Sequence, residues 1–135
     1  MDGTLVDTEP YWLSAEVSLV RAWGGNWTHE DGLKLVGSGL EDSARVFQGQ
    51  GVELSIDEII QTLTDRVLSQ IEVSVPWRAG ARELLAELRG AGVPTALVTM
   101  SISRMAERVA LALDEAIGTR AFDVIVAGDT VEKPK

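Results

Sequence analysis

The feature that most constrains the fold is an alternation of helical patterns and short apolar runs in the second half of the chain. Residues 81–89 have a helical pattern that ends at a glycine, and residues 94–99 form an apolar run that predicts a short, fully buried strand. A second helix is predicted over 102–113 and a second buried strand over 123–127. This alternation is typical of parallel βαβ units, in which ligand-binding loops follow the carboxyl ends of the strands.

The first half of the chain has the pattern of a helical block. Helices are predicted over residues 9–24, from Thr28 to about Val36, and over 41–48, and a capping box at residues 55–58 begins a long helix. Along this helix, apolar residues recur at spacings of three and four and predict one buried stripe: Ile56, Ile59, Ile60, Leu63, Val67, Leu68 and Ile71. The block, roughly residues 12–75, is interpreted as a compact unit inserted between other material.

Composition excludes several classes of partner. The 135 residues are 45% hydrophobic and carry 21 acidic against 12 basic side chains, for a net charge of −9. This charge disfavours nucleic-acid binding, and no apolar run approaches the roughly 20 residues that cross a bilayer. The sequence has no cysteine, which excludes disulfides and thiolate chemistry and fits the cytoplasm. We therefore expect a cytoplasmic protein without nucleic-acid or membrane partners, and the oligomeric state is left open.

Two polar segments are candidates for binding an anion. The tripeptide Asp2-Gly3-Thr4 combines a carboxylate, a permissive backbone and a hydroxyl, although such a tripeptide alone is more typical of a turn. Thr99 ends the first apolar run, beside the free amides at the start of the next helix, where a phosphate could bind. The alternative is that a hydroxyl here caps that helix, a role for which Ser101 is the better candidate.

Other polar or aromatic residues are less specific by themselves. Lys133 and Lys135 follow the second apolar run, where a lysine could neutralise a phosphoryl oxygen, although a lone lysine near a chain end is usually solvated. His29 has no partner at ligand spacing and is expected to be exposed, and the four tryptophans are expected to pack in the core and at domain interfaces. The order of acidic loop, helical insert, strand with threonine and strand with lysine indicates phosphate chemistry.

The first ten residues carry the most specific motif, MDGTLVDTEP. This run resembles the opening motif of the haloacid dehalogenase-like hydrolases, in the branch of phosphatases and phosphoglucomutases, and the resemblance extends over essentially the whole chain. It implies an α/β fold: a partial Rossmann-like parallel-sheet core at residues 1–11 and 77–135, with an inserted α-helical cap domain at 12–76. It also implies a small phosphorylated metabolite as substrate and Mg²⁺ as cofactor.

The resemblance assigns roles to residues at both ends of the chain. Asp2 matches the general acid/base, and its backbone carbonyl matches a metal ligand. Gly3 and Thr4 belong to the same phosphate-binding motif. Thr99 matches the hydroxyl of the second motif, which holds the phosphoryl group together with Met100.

The third motif of the family supplies a lysine. Lys135 matches it best, because relatives have this lysine four residues after a valine like Val131, and Lys133 is the fallback. The family's nucleophilic aspartate would lie before Met1, and the later acidic motif that completes the metal site has no counterpart. The resemblance therefore implies a chain truncated at both ends that is inactive by itself.

The resemblance implies a Mg²⁺-dependent phosphate-monoester hydrolase that acts through an aspartyl-phosphate intermediate. Asp2 argues against a true dehalogenase, which lacks an acid/base aspartate at this position. A sugar phosphomutase is the alternative, but mutases carry a histidine where Trp12 stands and a basic residue in the loop that matches residues 37–39. A further alternative is a catalytically dead fragment or pseudoenzyme, a non-catalytic remnant that binds a partner through its cap or sheet edge.

Overall fold

The computed structural model describes residues 1–131, which fall into two compact units. The first unit comprises Met1–Thr8 and Ile71–Lys135, and the second comprises Glu9–Gln70. The sequence analysis placed the boundaries at residues 11/12 and 76/77, a few positions further along the chain in both cases. The assignment of the units as catalytic core and cap stays a prediction.

The second unit is built from helices, and their bounds follow local signals in the sequence. They are α1 Glu9–Ala22, α2 His29–Leu33, α3 Leu40–Gly49 and the greater part of α4 Ile56–Val73. The capping box of α4 is confirmed, because Ser55 N donates to Glu58 Oε2 at 2.8 Å and Glu58 N donates to Ser55 Oγ at 3.2 Å. A second capping box, between Thr28 and Asp31, begins α2. That helix is shorter than predicted, because residues 34–37 continue as turns.

The buried stripe predicted along α4 is confirmed in part. Its fully buried members are Ile59, Leu63, Val67 and Ile71, whereas Ile56, Ile60 and Leu68 are half-buried. Thr64 is buried with them, although a polar residue was not predicted to belong to this stripe. Its hydroxyl has no hydrogen-bond partner in the described structure. His29 is exposed, as expected, and Trp27 is the one tryptophan among residues 1–131 that is buried.

A buried carboxylate lies inside the second unit. Glu16 of α1 is 8% exposed, and its Oε2 accepts a hydrogen bond from Trp27 Nε1 at 2.9 Å. Trp27 in turn packs against Phe47 of α3, with ring centroids 5.0 Å apart. Gly32 of α2 adjoins the pair, since a Cβ there would lie 3.1 Å from Glu16 Oε2. Burial raises the pKa of Glu16 to about 7, while the indole bond lowers it and the charge of Glu9 raises it.

The first unit contains a two-stranded parallel sheet. Strands β1 Ala96–Val98 and β2 Val124–Val126 pair in register, with Leu97 opposite Ile125. Helix α5 Ala81–Gly90 precedes β1, and helix α6 Ser103–Ile117 connects the strands and packs against both α5 and β2. The α/β class and the parallel βαβ unit predicted from the sequence are therefore confirmed.

The prediction that both strands are fully buried is wrong. Leu97 is 5% exposed, but Val98 and Val124 are each 54% exposed. Successive side chains of a strand point to opposite faces of the sheet, so the described structure covers one face of β1 and leaves the other open. Both strands are also three residues long, shorter than the apolar runs that contain them.

The beginnings of the two strands are held together by one arginine. Arg89, in the last turn of α5, contacts Asp123 through Nη1 at 2.7 Å and Nη2 at 3.1 Å. Asp123 Oδ2 also accepts a hydrogen bond from Thr95 N at 2.9 Å, just before β1. The bonds from Arg89 and Thr95 hold the pKa of Asp123 below its usual value. This cluster fixes the register of the sheet at the end opposite the carboxyl ends of the strands.

The loops that follow β1 and β2 lie against each other. Gly128 N donates to Ser101 O at 3.0 Å, and Asp129 Oδ1 accepts from Ser103 N at 2.8 Å and Ser103 Oγ at 2.7 Å. Asp129 thus supplies an acceptor at the start of α6, and the alternative in which Ser101 caps this helix is not observed. The bonds from Ser103 lower the pKa of Asp129. A Cβ at position 128 would lie 2.2 Å from Met100 O, which leaves room only for glycine.

We expect the stability of the second unit to depend on the protonation of Glu16. Its pKa of about 7 in the folded state lies above the ordinary 4.5, so the proton stabilises the fold below pH 4.5, and this contribution is lost as the pH rises through 7. The free energy of unfolding of Glu16→Gln, taken relative to that of the wild type, should therefore be about 2 to 3 kcal/mol higher at pH 8 than at pH 5. Urea unfolding at both pH values measures this difference. Equal pH slopes for the wild type and Glu16→Gln would contradict it, and the exposed Glu53→Gln is the control.

We expect Gly128→Ala to lower the free energy of unfolding by about 2 kcal/mol, because the obstructing atom is a backbone oxygen that cannot turn aside. Gly90→Ala in α5 is the matched control, since a Cβ there meets no atom within 4 Å, and alanine favours the helix by up to about 1 kcal/mol. Thermal or urea unfolding of both variants measures the contrast. The close contact of the two loops would be refuted by a Gly128→Ala variant as stable as the wild type.

Candidate functional site

Asp2 lies in the first unit, with its carboxylate held by two hydroxyl groups. Thr8 Oγ1 donates to Oδ1 at 2.5 Å, and Ser101 Oγ donates to Oδ2 at 2.6 Å. Thr8 is fully buried and Ser101 is 8% exposed, so both donors are shielded from water. Because the two bonds go to different oxygens, together they fix the plane of the carboxylate.

A tight turn brings Thr8 back to Asp2. Gly3 N donates to Val6 O at 2.8 Å, and Gly3 has a φ of 72°, in the left-handed region that favours glycine. Gly3 and Thr4 themselves are exposed on this turn. The turn interpretation therefore describes their local conformation, and their contact with a phosphate stays a prediction.

The N-terminal turn is anchored to the segment at residues 76–78. Asp7 N donates to Pro76 O at 2.8 Å, and Arg78 N donates to Leu5 O at 3.0 Å. The guanidinium of Arg78 also lies 3.4 Å from Asp7 Oδ2, in an exposed ion pair of little energetic weight. The backbone bonds, more than the ion pair, hold the Asp2 turn in place.

Thr99 lies at the carboxyl end of β1 and belongs to the same network as Asp2. Its amide donates to Val126 O at 3.0 Å, and its Oγ1 accepts a hydrogen bond from Ser101 N at 3.1 Å. Thr99 is 8% exposed, whereas Met100 beside it is 37% exposed. The structure thus brings Asp2 and Thr99 together through Ser101.

Two residues of this network were missed in the sequence analysis. Thr8 was quoted only as part of the N-terminal run, and Ser101 was named only as a candidate cap of the next helix, within the alternative to a phosphate site. Their proximity to Asp2 and Thr99 in the motifs is the one signal that could have indicated them. Lys133 and Lys135, the predicted phosphate-binding lysines, lie outside the described residues.

The described residues do not by themselves fit a magnesium ion. Among residues 1–131, no three His, Asp or Glu side chains gather into a group that could hold a metal. Both carboxylate oxygens of Asp2 already accept bonds from hydroxyls, and Mg²⁺ demands about six oxygen ligands in octahedral geometry. Asp2 as a metal ligand therefore stays a prediction from the resemblance.

The arrangement is suited to moving a proton. Each carboxylate oxygen has two lone pairs, and the hydroxyls of Thr8 and Ser101 occupy one on each oxygen of Asp2. The remaining lone pairs can hold a proton or accept one from a neighbouring oxygen. A carboxyl group with a fixed plane and a free lone pair can act as a general acid and, once ionised, as a general base.

The whole chain, residues 1–135, matches the sequence model of a family described as haloacid dehalogenase-like hydrolase. Protein CbbY of Cereibacter sphaeroides is 30% identical over 143 residues, an alignment that covers 100% of this chain and 62% of CbbY. The chain therefore spans about three fifths of the length of this relative.

Solved structures give the same fold. The crystal structure of CbbY from Rhodobacter sphaeroides in complex with phosphate has a TM-score of 0.81 and 28% identity, covering 100% of this chain and 64% of that one. A beta-phosphoglucomutase from Clostridium difficile has a TM-score of 0.71 at 18% identity, covering 99% and 61% of the two chains, a likeness of fold alone. Because the family model matches this chain from residue 1 to residue 135, the chain belongs to the haloacid dehalogenase-like hydrolases.

Proposed function

We propose that this chain is part of a phosphate-monoester hydrolase that acts on a small phosphorylated metabolite, with Asp2 as the proton-transferring group. The observation that carries the proposal is the Asp2 carboxylate, held by two shielded hydroxyls in one network with Thr99. Cleavage of a phosphate ester is assisted by a general acid that protonates the leaving oxygen and by donors that hold the phosphoryl oxygens, and Asp2 and Thr99 are the proposed groups for these two tasks.

The proposed reaction has two steps. In the first, an aspartate that the resemblance places before Met1 attacks phosphorus, the ester P–O bond breaks, and Asp2 gives its proton to the departing alcohol oxygen. In the second, the Asp2 carboxylate takes a proton from the water that attacks the aspartyl phosphate, which releases inorganic phosphate and restores both groups. Thr99 is proposed to hold the phosphoryl group through both steps.

The relatives support a phosphorylated sugar as the class of substrate. CbbY from Rhodobacter sphaeroides was crystallised with phosphate, and a mutant of the same protein with xylulose-1,5-bisphosphate.

No helix among residues 1–131 is long and apolar enough to cross a membrane. A cytoplasmic location stays a prediction.

Phosphatase action is favoured over mutase action by two features of the second unit. Trp12 stands where the mutase branch carries a histidine, and residues 37–39 contain only glycine and serine where that branch carries a basic residue. A mutase must hold the intermediate for a second transfer, and these positions lack the cationic groups with which it would do so.

Mg²⁺ is the cofactor that the resemblance implies. When bound, it would neutralise charge on the phosphoryl oxygens. The residues described do not make up its site, so the steps above are assigned only to groups of the protein. Lys135, or Lys133 in its place, is proposed as a second source of positive charge.

We expect the complete product of the gene that encodes this chain to hydrolyse p-nitrophenyl phosphate in MgCl₂ and to lose this activity in EDTA. Asp2→Asn should lower kcat by about 10² to 10⁴-fold, because an amide neither donates a proton to the leaving oxygen nor takes one from water. Release of p-nitrophenol, measured by absorbance, gives the rates.

The matched control is Glu83→Gln, which neutralises an exposed carboxylate in the first turn of α5 and should leave kcat unchanged. If the wild type shows no metal-dependent hydrolysis, a non-catalytic binding module is the better description. If Asp2→Asn retains wild-type kcat, the role of Asp2 is wrong even when hydrolysis occurs.

A further inference from the structure

We infer that Ser101 is a positioning residue, whose hydroxyl sets the direction in which the Asp2 carboxyl group presents its proton. The inference deepens the proposed function and rests on it. The resemblance drawn from the sequence gave Ser101 no role, and its assignment follows from the bonds described below.

Ser101 is fixed by three hydrogen bonds, one from each of its polar groups. Its amide donates to Thr99 Oγ1 at 3.1 Å, its carbonyl accepts from Gly128 N at 3.0 Å, and its hydroxyl donates to Asp2 Oδ2 at 2.6 Å. The residue is 8% exposed, so water does not compete for these groups. A donor held in this way gives its acceptor a single preferred direction.

The hydroxyl of Ser101 is available to Asp2 because another residue serves the start of α6. A serine just before a helix usually accepts a bond from the free amides of the first turn. Here the carboxylate of Asp129 accepts the bond from Ser103 N at 2.8 Å, and Ser101 Oγ points its proton at Asp2. The loop after β2 thus leaves the Ser101 hydroxyl free to bond Asp2, which lies 99 positions earlier in the chain.

Among the described residues, loss of this hydroxyl would leave the Asp2 carboxylate with one bond, from Thr8 to Oδ1. One bond allows the group to rotate about Cβ–Cγ, so its acidic proton no longer points steadily at the leaving oxygen. A misplacement of about 1 Å can cost on the order of 100-fold in rate. Ser101 keeps its own proton throughout, because the proton that reaches the leaving oxygen comes from Asp2.

The test compares Ser101→Ala, Ser101→Thr and Ser103→Ala in the complete gene product, with p-nitrophenyl phosphate as substrate. We expect Ser101→Ala to lower kcat by about 10- to 100-fold with KM within about two-fold, since the hydroxyl is committed to Asp2. Ser101→Thr keeps a hydroxyl and should recover most of the rate. Ser103→Ala removes a hydroxyl from the same loop that bonds Asp129, and its kcat should stay within about two-fold of the wild type.

The inference is overturned if Ser101→Ala keeps wild-type kcat, or if its KM rises while kcat is unchanged, because the hydroxyl would then contact the substrate. A folding defect would show as a loss of the thermal transition. In that case Ser101→Cys, of similar size but a poor donor, replaces Ser101→Ala and is expected to show the same loss of kcat.

A second measurement separates this inference from the proposed function. If the wild type hydrolyses no phosphate ester, the proposed function fails, and crystal structures of Ser101→Ala and Ser103→Ala decide whether Ser101 orients Asp2. A rotated Asp2 carboxylate in Ser101→Ala alone supports the orienting role. An unchanged carboxylate in both variants overturns it.

Discussion

The hydrogen bond between Ser101 and Asp2 is the contact on which the candidate site depends. It joins the first turn of the chain to the loop after β1, across 99 positions of sequence. The same serine ties that loop to Thr99 and, through its carbonyl, to Gly128 after β2. Three segments that are remote in sequence therefore meet at one residue, whose amide, carbonyl and hydroxyl each make one of these bonds.

Local features of the fold could be predicted from sequence, and contacts between distant segments could not. The capping box at Ser55 and Glu58 needs two residues three positions apart, so the sequence displays it directly. The helices and the βαβ unit follow from periodicity in the same way. The family resemblance placed Asp2 and Thr99 in one site, but not the serine that links them. Sequence alone made Ser101 a candidate cap of α6, because the residue that accepts from Ser103 N is Asp129, 26 positions further along the chain.

Several charged side chains in the described part of the chain are engaged within the protein. Cations of both units pair with carboxylates: Lys34, Arg45, Arg78, Arg89 and Arg108. With a net charge of −9 over the full sequence, binding of a phosphate ester must draw on sources other than these pairs. The proposed sources are backbone amides after β1 and the lysines at positions 133 and 135. These lysines therefore matter more for the proposed phosphate binding than their place near the end of the chain suggests.

The open face of the small sheet has a practical consequence for handling this chain. Val98 and Val124 are each 54% exposed on strands that have only one partner in residues 1–131. Apolar side chains beside an unpaired strand edge invite other molecules to associate. A preparation of residues 1–135 by itself would therefore be at risk of aggregating at high concentration, and dilute samples or added solubilising partners would suit biophysical work on it.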